Sequence, residues 1–335
     1  MRPAALFFFA TASFSHVGAQ QPVMQTSYGP VTGETVDGVD IFRSVPFAAP
    51  PVGSLRFSSP QPPTPWTSPL DVRGLPRPCP QLKIDGNIFV GGEDCLYLSV
   101  FRPSGRPADA PPLPIMTWIF GGAYVLGDIW EFGWYDGAAL ARTQGVIVVA
   151  ANYRVGPFGF FASTALAAES ANGGSTGNAA LLDQVMALEW VRDNAIEMGG
   201  APENVTIFGE SAGAFSVAWH IASPRSAGLF SAAISESGSF DTPQFFQPLD
   251  EAVDFNSVYS TALGCTGDSA AQLTCMRGLS AEHIMLSLAD MLNPNWPNVG
   301  PTGDAARKFA SQLLADLPAK LGETAALPAL APLMP

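Results

Sequence analysis

The five residues Gly209-Glu210-Ser211-Ala212-Gly213, with the segments on either side of them, restrict the fold of this chain more than any other stretch. Before them, Val205-Thr206-Ile207-Phe208 is a run of β-branched and aromatic residues that reads as a strand. After them, Ala214 to Ile221 reads as a helix. A strand that enters a helix through G-x-S-x-G turns so tightly that the central residue is strained and pushed clear of the sheet. Glycines flank it because side chains there would collide. The helix N-terminus behind the serine favours negative charge at the place where an oxyanion would develop. Ser211 is thus the candidate nucleophile, and the N–H of Ala212, the residue after it, is the first candidate oxyanion donor. The plainer alternative is a glycine-rich turn with an inert serine.

Other oxyanion donors are expected from a glycine-rich loop after an earlier strand. Phe120-Gly121-Gly122-Ala123-Tyr124 follows the apolar run Leu113 to Phe120 and occupies that place. Leu96 to Phe101 and Val146 to Ala150 are similar short runs without alternation, as expected of strands buried on both faces. Between them, Asp136 to Thr143 and Asn178 to Met198 read as helices, the second with Leu181, Val185, Leu188 and Val191 at helical spacing. Alternating strands and helices imply an α/β architecture with a mainly parallel central sheet. Residues 240–300 read as irregular and helical surface structure.

Composition narrows the function. The 335 residues carry 16 basic and 29 acidic side chains, a formal net charge of −13. A nucleic-acid partner would need a basic face, and anionic lipid would be repelled for the same reason. The first strand is not followed by GxGxxG, so a dinucleotide cofactor is not expected, and no other cofactor is implied. Residues 1–19 read as a signal peptide: Arg2 precedes the short apolar stretch Ala4 to Phe14, and Val17-Gly18-Ala19 offers small residues for cleavage. A buried N-terminal helix is the alternative. No later apolar run reaches ~18 residues, so a secreted protein without a membrane anchor is expected. Its four cysteines, Cys79, Cys95, Cys265 and Cys275, suit that compartment as two disulfides. Of three pairings, Cys79–Cys95 and Cys265–Cys275 close short loops and are the expected ones. A metal site is the weaker reading, because the chain has neither CxxC nor a histidine cluster.

An ordered set of motifs then carries a resemblance: Gly29-Pro-Val-x-Gly33, Pro50-Pro-Val-Gly-x-Leu-Arg-Phe57, Glu93-Asp-Cys-Leu-Tyr-Leu98, Gly121-Gly122, Tyr135-Asp-Gly137, Asn152-Tyr-Arg-Val-Gly156, Gly177-Asn178 to Leu182-Asp-Gln184, Gly209 to Gly213 and Ser237-Gly238. From about Gly29 to about Arg277 the chain resembles the type-B carboxylesterases, which include cholinesterases and fungal lipases. The resemblance implies an α/β-hydrolase fold over residues 20–335 and hydrolysis of small-molecule esters through an acyl-enzyme on Ser211. It implies oxyanion donors at Gly122, Ala123 and Ala212, with Ala123 standing where the family usually has a third glycine. It also implies the two local disulfides and structural ion pairs Arg56–Glu93 and Arg154–Asp183. Glu210, beside the nucleophile, is expected either to tune the site's electrostatics or to be a satisfied neighbouring carboxylate.

The family pattern breaks at the base. A serine nucleophile needs a base within hydrogen-bond reach, and the base needs an orienting acid. Of three histidines, His16 lies in the signal peptide, His220 is carried ~13 Å from Ser211 by a straight helix, and His283 lies in the C-terminal region. The family's acid and histidine come later than Pro335, so the fold is expected to be C-terminally incomplete and the chain weakly active or inactive. A catalytically dead, cholinesterase-like binding protein is the competing reading. The loop Pro80 to Asp94 carries no Trp or Tyr, which disfavours choline esters. It is also short for a lipase lid, so a soluble ester is favoured.

Overall fold

The computed structural model describes residues 21–83, 88–107, 109–170, 174, 176–239 and 247–292. The expected signal peptide and the segment beyond residue 292 lie outside them. The chain opens with short strands β1 (Val23–Gln25), β2 (Pro30–Thr32) and β3 (Glu34–Val36), then the longer β4 (Val39–Pro46). Asp37 and Gly38 join β3 to β4 with both φ positive (48° and 79°), the two-residue turn whose twist matches that of paired strands. Three minor strands follow, β5 (Leu70–Asp71), β6 (Gln81–Leu82) and β7 (Phe89–Val90).

The central framework then builds in order: β8 (Tyr97–Pro103), β9 (Leu113–Ile119), α1 (Ala138–Gln144), β10 (Ile147–Ala151), α2 (Gly156–Phe160), α3 (Thr164–Glu169), α4 (Ala179–Met198), β11 (Gly200–Glu210), α5 (Ala212–Ala222) and β12 (Ala232–Glu236). Three helices close the described chain: α6 (Leu249–Ala262), α7 (Ser269–Gly278) and α8 (Ala281–Leu292). Seven strands form one sheet in the order β12-β11-β9-β10-β8-β4-β3. The joins among β12, β11, β9 and β10 are parallel, and those among β10, β8, β4 and β3 are antiparallel. The sheet is therefore mixed: the part around Ser211 is parallel, and the half that begins with the tight hairpin is antiparallel. Parallel neighbours need a crossover, and α1, α4 and α5 lie in the connections that supply it.

All five residues of β10 are buried, as the unalternating apolar run requires. Ile147 and Val149 pack with Trp190 and Val191 of α4, while Val148, pointing the other way, packs with Ala141 of α1. Helices therefore cover both faces at this strand. At the far edge, every residue of β12 is exposed, although its register with β11 is regular from Thr206↔Ala232 to Glu210↔Glu236.

The region after residue 246 is helical, as expected in part, but it is not mere surface. Helices α6 to α8 bury Tyr259, Leu273, Met276, Ile284 and Met285 against Phe57, Phe158 and Phe161. Arg56 ties this unit to the N-terminal segment. Its guanidinium grips both oxygens of Glu93 at 2.6 Å and donates to the carbonyls of Met276, Arg277 and Leu279 at the end of α7. The second ion pair, Arg154 with Asp183, is bidentate at 2.7 and 2.8 Å and fully buried. Both disulfides have the expected pairing, with Cα atoms 5.0 Å apart in Cys79–Cys95 and 5.4 Å in Cys265–Cys275, inside the range a disulfide spans.

Candidate active site

The sharp turn after β11 is where Ser211 stands. Its φ of 53° and ψ of −119° lie outside the regions that side chains readily adopt, and it caps α5 directly. Its N–H donates to the carbonyl of Glu236 at 2.9 Å, which pins the turn to the end of β12. The glycines of the motif are required by contact. A Cβ on Gly213 would lie 2.0 Å from the carbonyl oxygen of Ile119, and one on Gly209 would lie 2.7 Å from Gly213 and from that same oxygen. The first N–H groups of α5 have no carbonyl a turn earlier to bond, so that of Ala212 is free by position to face an anion.

Across the sheet from this turn, β9 ends in the Gly121-Gly122-Ala123-Tyr124 loop. A Cβ on Gly121 would lie 3.2 Å from the Cβ of Ser211 and 2.9 Å from a carboxylate oxygen of Glu210. Loop and elbow are thus close neighbours on one side of the sheet. The register Gly209↔Ile119 brings this about, because both segments leave the sheet at the same level. Gly122, Ala123 and Tyr124 have φ of 100°, 54° and 62°, so two consecutive non-glycine residues are held left-handed. Each such residue costs about 1–2 kcal/mol, which neighbouring contacts must offset.

Several contacts do so. The Gly156 N–H donates to the Tyr124 carbonyl at 2.7 Å, and the N–H groups of Val125 and Leu126 donate to the Gly122 carbonyl. Tyr153 stacks on Phe120 at 4.0 Å and donates its hydroxyl to the Phe120 carbonyl at 2.7 Å. Gln81, inside the Cys79–Cys95 loop, accepts from the Gly127 N–H at 2.7 Å and donates to the Gly127 carbonyl at 2.9 Å. The Cys79–Cys95 loop is thereby fastened to the far end of the glycine-rich loop.

Glu210 is exposed, with its carboxylate toward Gly121 and close enough to Tyr135 to act on its ionisation. Burial pushes the Tyr135 hydroxyl up to about 12, and the charges of Glu131, Glu210 and Asp128 add to the rise. Burial and Asp128 also raise the carboxyl of Glu131. This side of the site therefore carries negative potential.

A profile described as the carboxylesterase family matches residues 20–326. The chain belongs to the carboxylesterase family. It is 42% identical over 277 residues to the para-nitrobenzyl esterase of Bacillus subtilis (strain 168), covering 81% of this chain and 53% of that protein. It is 37% identical over 292 residues to the acetylcholinesterase of Gallus gallus, covering 81% of this chain and 37% of that protein. A solved structure titled PNB esterase superposes with a TM-score of 0.70 at 35% identity, covering 84% of this chain and 56% of that one. The fold is accordingly that of an α/β-hydrolase. The chain spans about half the length of the curated relatives it matches.

Among the described residues, the histidines are His220 and His283. His220 is buried on α5, and both its ring nitrogens are engaged: Nδ1 with the Ser226 hydroxyl at 2.8 Å and Nε2 with Oε1 of Gln184 at 3.0 Å. Burial lowers its pKa to about 3, so the ring is neutral. His283 lies on α8. It lines a surface cavity of about 310 Å³ with Tyr259, Ala262, Leu263, Gly264 and Ser287, none of which belongs to the elbow or the glycine-rich loop. Among the described residues, no helix is long and apolar enough to cross a membrane.

Proposed function

We propose that this chain is the nucleophile-bearing part of a secreted carboxylic ester hydrolase that works through an acyl-enzyme on Ser211. In this reading residues 1–19 direct export, and residues 20–335 belong to one α/β-hydrolase domain. The Ser211 Oγ attacks the ester carbonyl carbon and loses its proton to a base. The carbonyl oxygen becomes an oxyanion held by the N–H groups of Gly122, Ala123 and Ala212. Collapse releases the alcohol, and water then hydrolyses the acyl-serine. The observation that carries this reading is that a Cβ on Gly121 would lie 3.2 Å from the Cβ of Ser211, which sets the glycine-rich loop beside a strained serine at a helix N-terminus. Glu210 is read as tuning the local field and not as a direct participant.

The proton acceptor is the weak point of this site. His220 is already committed to Ser226 and Gln184, and His283 lines a separate cavity. We therefore expect the 335-residue chain to hydrolyse esters very weakly. Removing the triad leaves roughly 10³–10⁴-fold catalysis over water in a known serine hydrolase, supplied by the oxyanion hole and binding. The test is p-nitrophenyl acetate turnover by three proteins: the chain, its Ser211→Ala variant, and the chain extended with the C-terminal half of a full-length relative. The extended protein should turn over, and Ser211→Ala in that background should abolish it. Turnover that survives Ser211→Ala would rule out the acyl-enzyme. A chain that binds ester analogues without turnover even when extended would favour the competing reading of a binding protein.

A further inference from the structure

A buried line of polar groups runs from behind the nucleophile helix to the oxyanion loop. Ser226 meets His220 Nδ1 at 2.8 Å, and His220 Nε2 meets Gln184 Oε1 at 3.0 Å. Gln184 Nε2 donates to the Ser216 Oγ at 3.1 Å, and Ser216 meets the Tyr124 hydroxyl at 3.0 Å. Ser226, His220, Gln184 and Ser216 are all buried. The neutral ring fixes the order of donors. His220 gives its Nε2 proton to Gln184 and accepts at Nδ1 from Ser226, so Gln184 turns its N–H₂ toward Ser216. The line joins α4, α5 and the turn after α5, and Tyr124 is its terminus on the loop.

Tyr124 directly follows Gly122 and Ala123, whose N–H groups are the candidate oxyanion donors. Its backbone is held by Gly156 on one side, and its ring meets Phe160 at 5.2 Å. Its hydroxyl reaches α5, the helix that Ser211 caps. That bond adds a hydrogen-bonded tie to the nucleophile's own helix beside the one to Gly156.

We propose that Tyr124 is a positioning residue: its hydroxyl, clamped by Ser216 on the Gln184–His220–Ser226 line, sets the oxyanion loop in register with the nucleophile helix. This rests on the reading of Ser211 as nucleophile and adds the device that fixes its oxyanion donors. Misplacing such donors by an ångström can cost a rate on the order of a hundredfold.

The test uses the whole chain and Tyr124→Phe, which keeps the ring and removes only the hydroxyl, with Ser216→Ala as a second variant. A fluorophosphonate probe reports on Ser211, because its phosphonyl oxygen takes the oxyanion's place. Tyr124→Phe should slow the maximal rate of labelling about tenfold or more while leaving probe affinity unchanged. Amide hydrogen exchange in residues 120–127 should quicken in both variants more than exchange elsewhere in the sheet, beyond any general loss of stability from the broken bond. The double variant should be no worse than the more affected single one. Wild-type labelling and wild-type loop exchange in Tyr124→Phe would overturn the clamp, as would a loss confined to probe affinity. If the unaltered chain is not labelled, its missing base accounts for that, and the exchange measurement in residues 120–127 decides the clamp.

Discussion

The two strands that flank β11 give Ser211 opposite surroundings. On one side, β9 is largely buried and its loop packs on the serine through Gly121, with bonds from Tyr153, Gly156, Gln81 and Ser216 behind it. On the other side, β12 pairs with β11 just as regularly, and its Glu236 carbonyl holds the Ser211 N–H, yet all five of its residues are exposed. Backbone pairing is therefore common to both flanks, and burial is what separates them. β9 forms the buried flank, and the exposed flank contributes an anchor for the turn.

The largest test of that contrast is Gly213→Ala. The added methyl would sit 2.0 Å from the Ile119 carbonyl oxygen, a backbone atom that cannot swing aside. The cost should exceed about 3 kcal/mol, at the upper end of what overpacking does. Gly74→Ala, where a Cβ meets nothing within 4 Å, should stay within about 0.5 kcal/mol. Urea midpoints of the two variants decide it. Equal midpoints would mean that the elbow and β9 are not in contact as described.

A more gradual effect should follow pH, through His220. Its pKa is about 3 in the folded chain against an ordinary 6.5, so below pH 6.5 the unfolded state takes up a proton that the folded state refuses. Stability is thus full above 6.5 and falls as pH drops toward 3, by about 1.4 kcal/mol per unit within that window. Urea titrations at pH 7, 6, 5 and 4 should show that slope above the contribution of the carboxylates. His220→Gln should remove it. An unchanged slope in the variant would mean that the Gln184–His220–Ser226 line does not hold a neutral ring.

These outcomes bear on how much of the molecule its sequence discloses. The elbow is legible because its constraints are local: the glycines at 209 and 213 and the strand–helix switch fall within a dozen neighbouring residues. The cysteine pairing is legible because each loop is short. The polar line is not, because Tyr124 and Ser216 are 92 residues apart and Gln184 and His220 are 36 apart, and such contacts leave no periodic trace. From the sequence, His220 is only a histidine too far from the serine. In the fold, that distance lets it brace the helix from behind. The burial of the helices after residue 246 escapes notice for a related reason. Their buried positions include Asn256, Ser260 and Gln272, so no continuous apolar stripe marks them as core. Their packing depends on Phe57 and Phe158, far upstream.

The smallest expected effect on stability is on the exposed flank. Ile234 of β12 lies opposite Phe208 of β11, and 43% of its surface is open. A charged side chain can extend from such a site into water with its strand pairing intact, so Ile234→Lys should change stability by no more than about 0.5 kcal/mol. The same substitution at Ile207, one register step away and fully buried, would place an unpaired charge in the core. Ile234→Lys should still have a visible consequence. A sheet edge with exposed apolar residues and unpaired backbone groups is a template for another strand, and an added lysine is a natural means of blunting it. Sedimentation velocity across a concentration series should show less self-association in the variant than in the parent chain. A stability loss above about 1.5 kcal/mol would mean that β12 is covered after all, and the contrast between the two flanks of Ser211 would then be withdrawn.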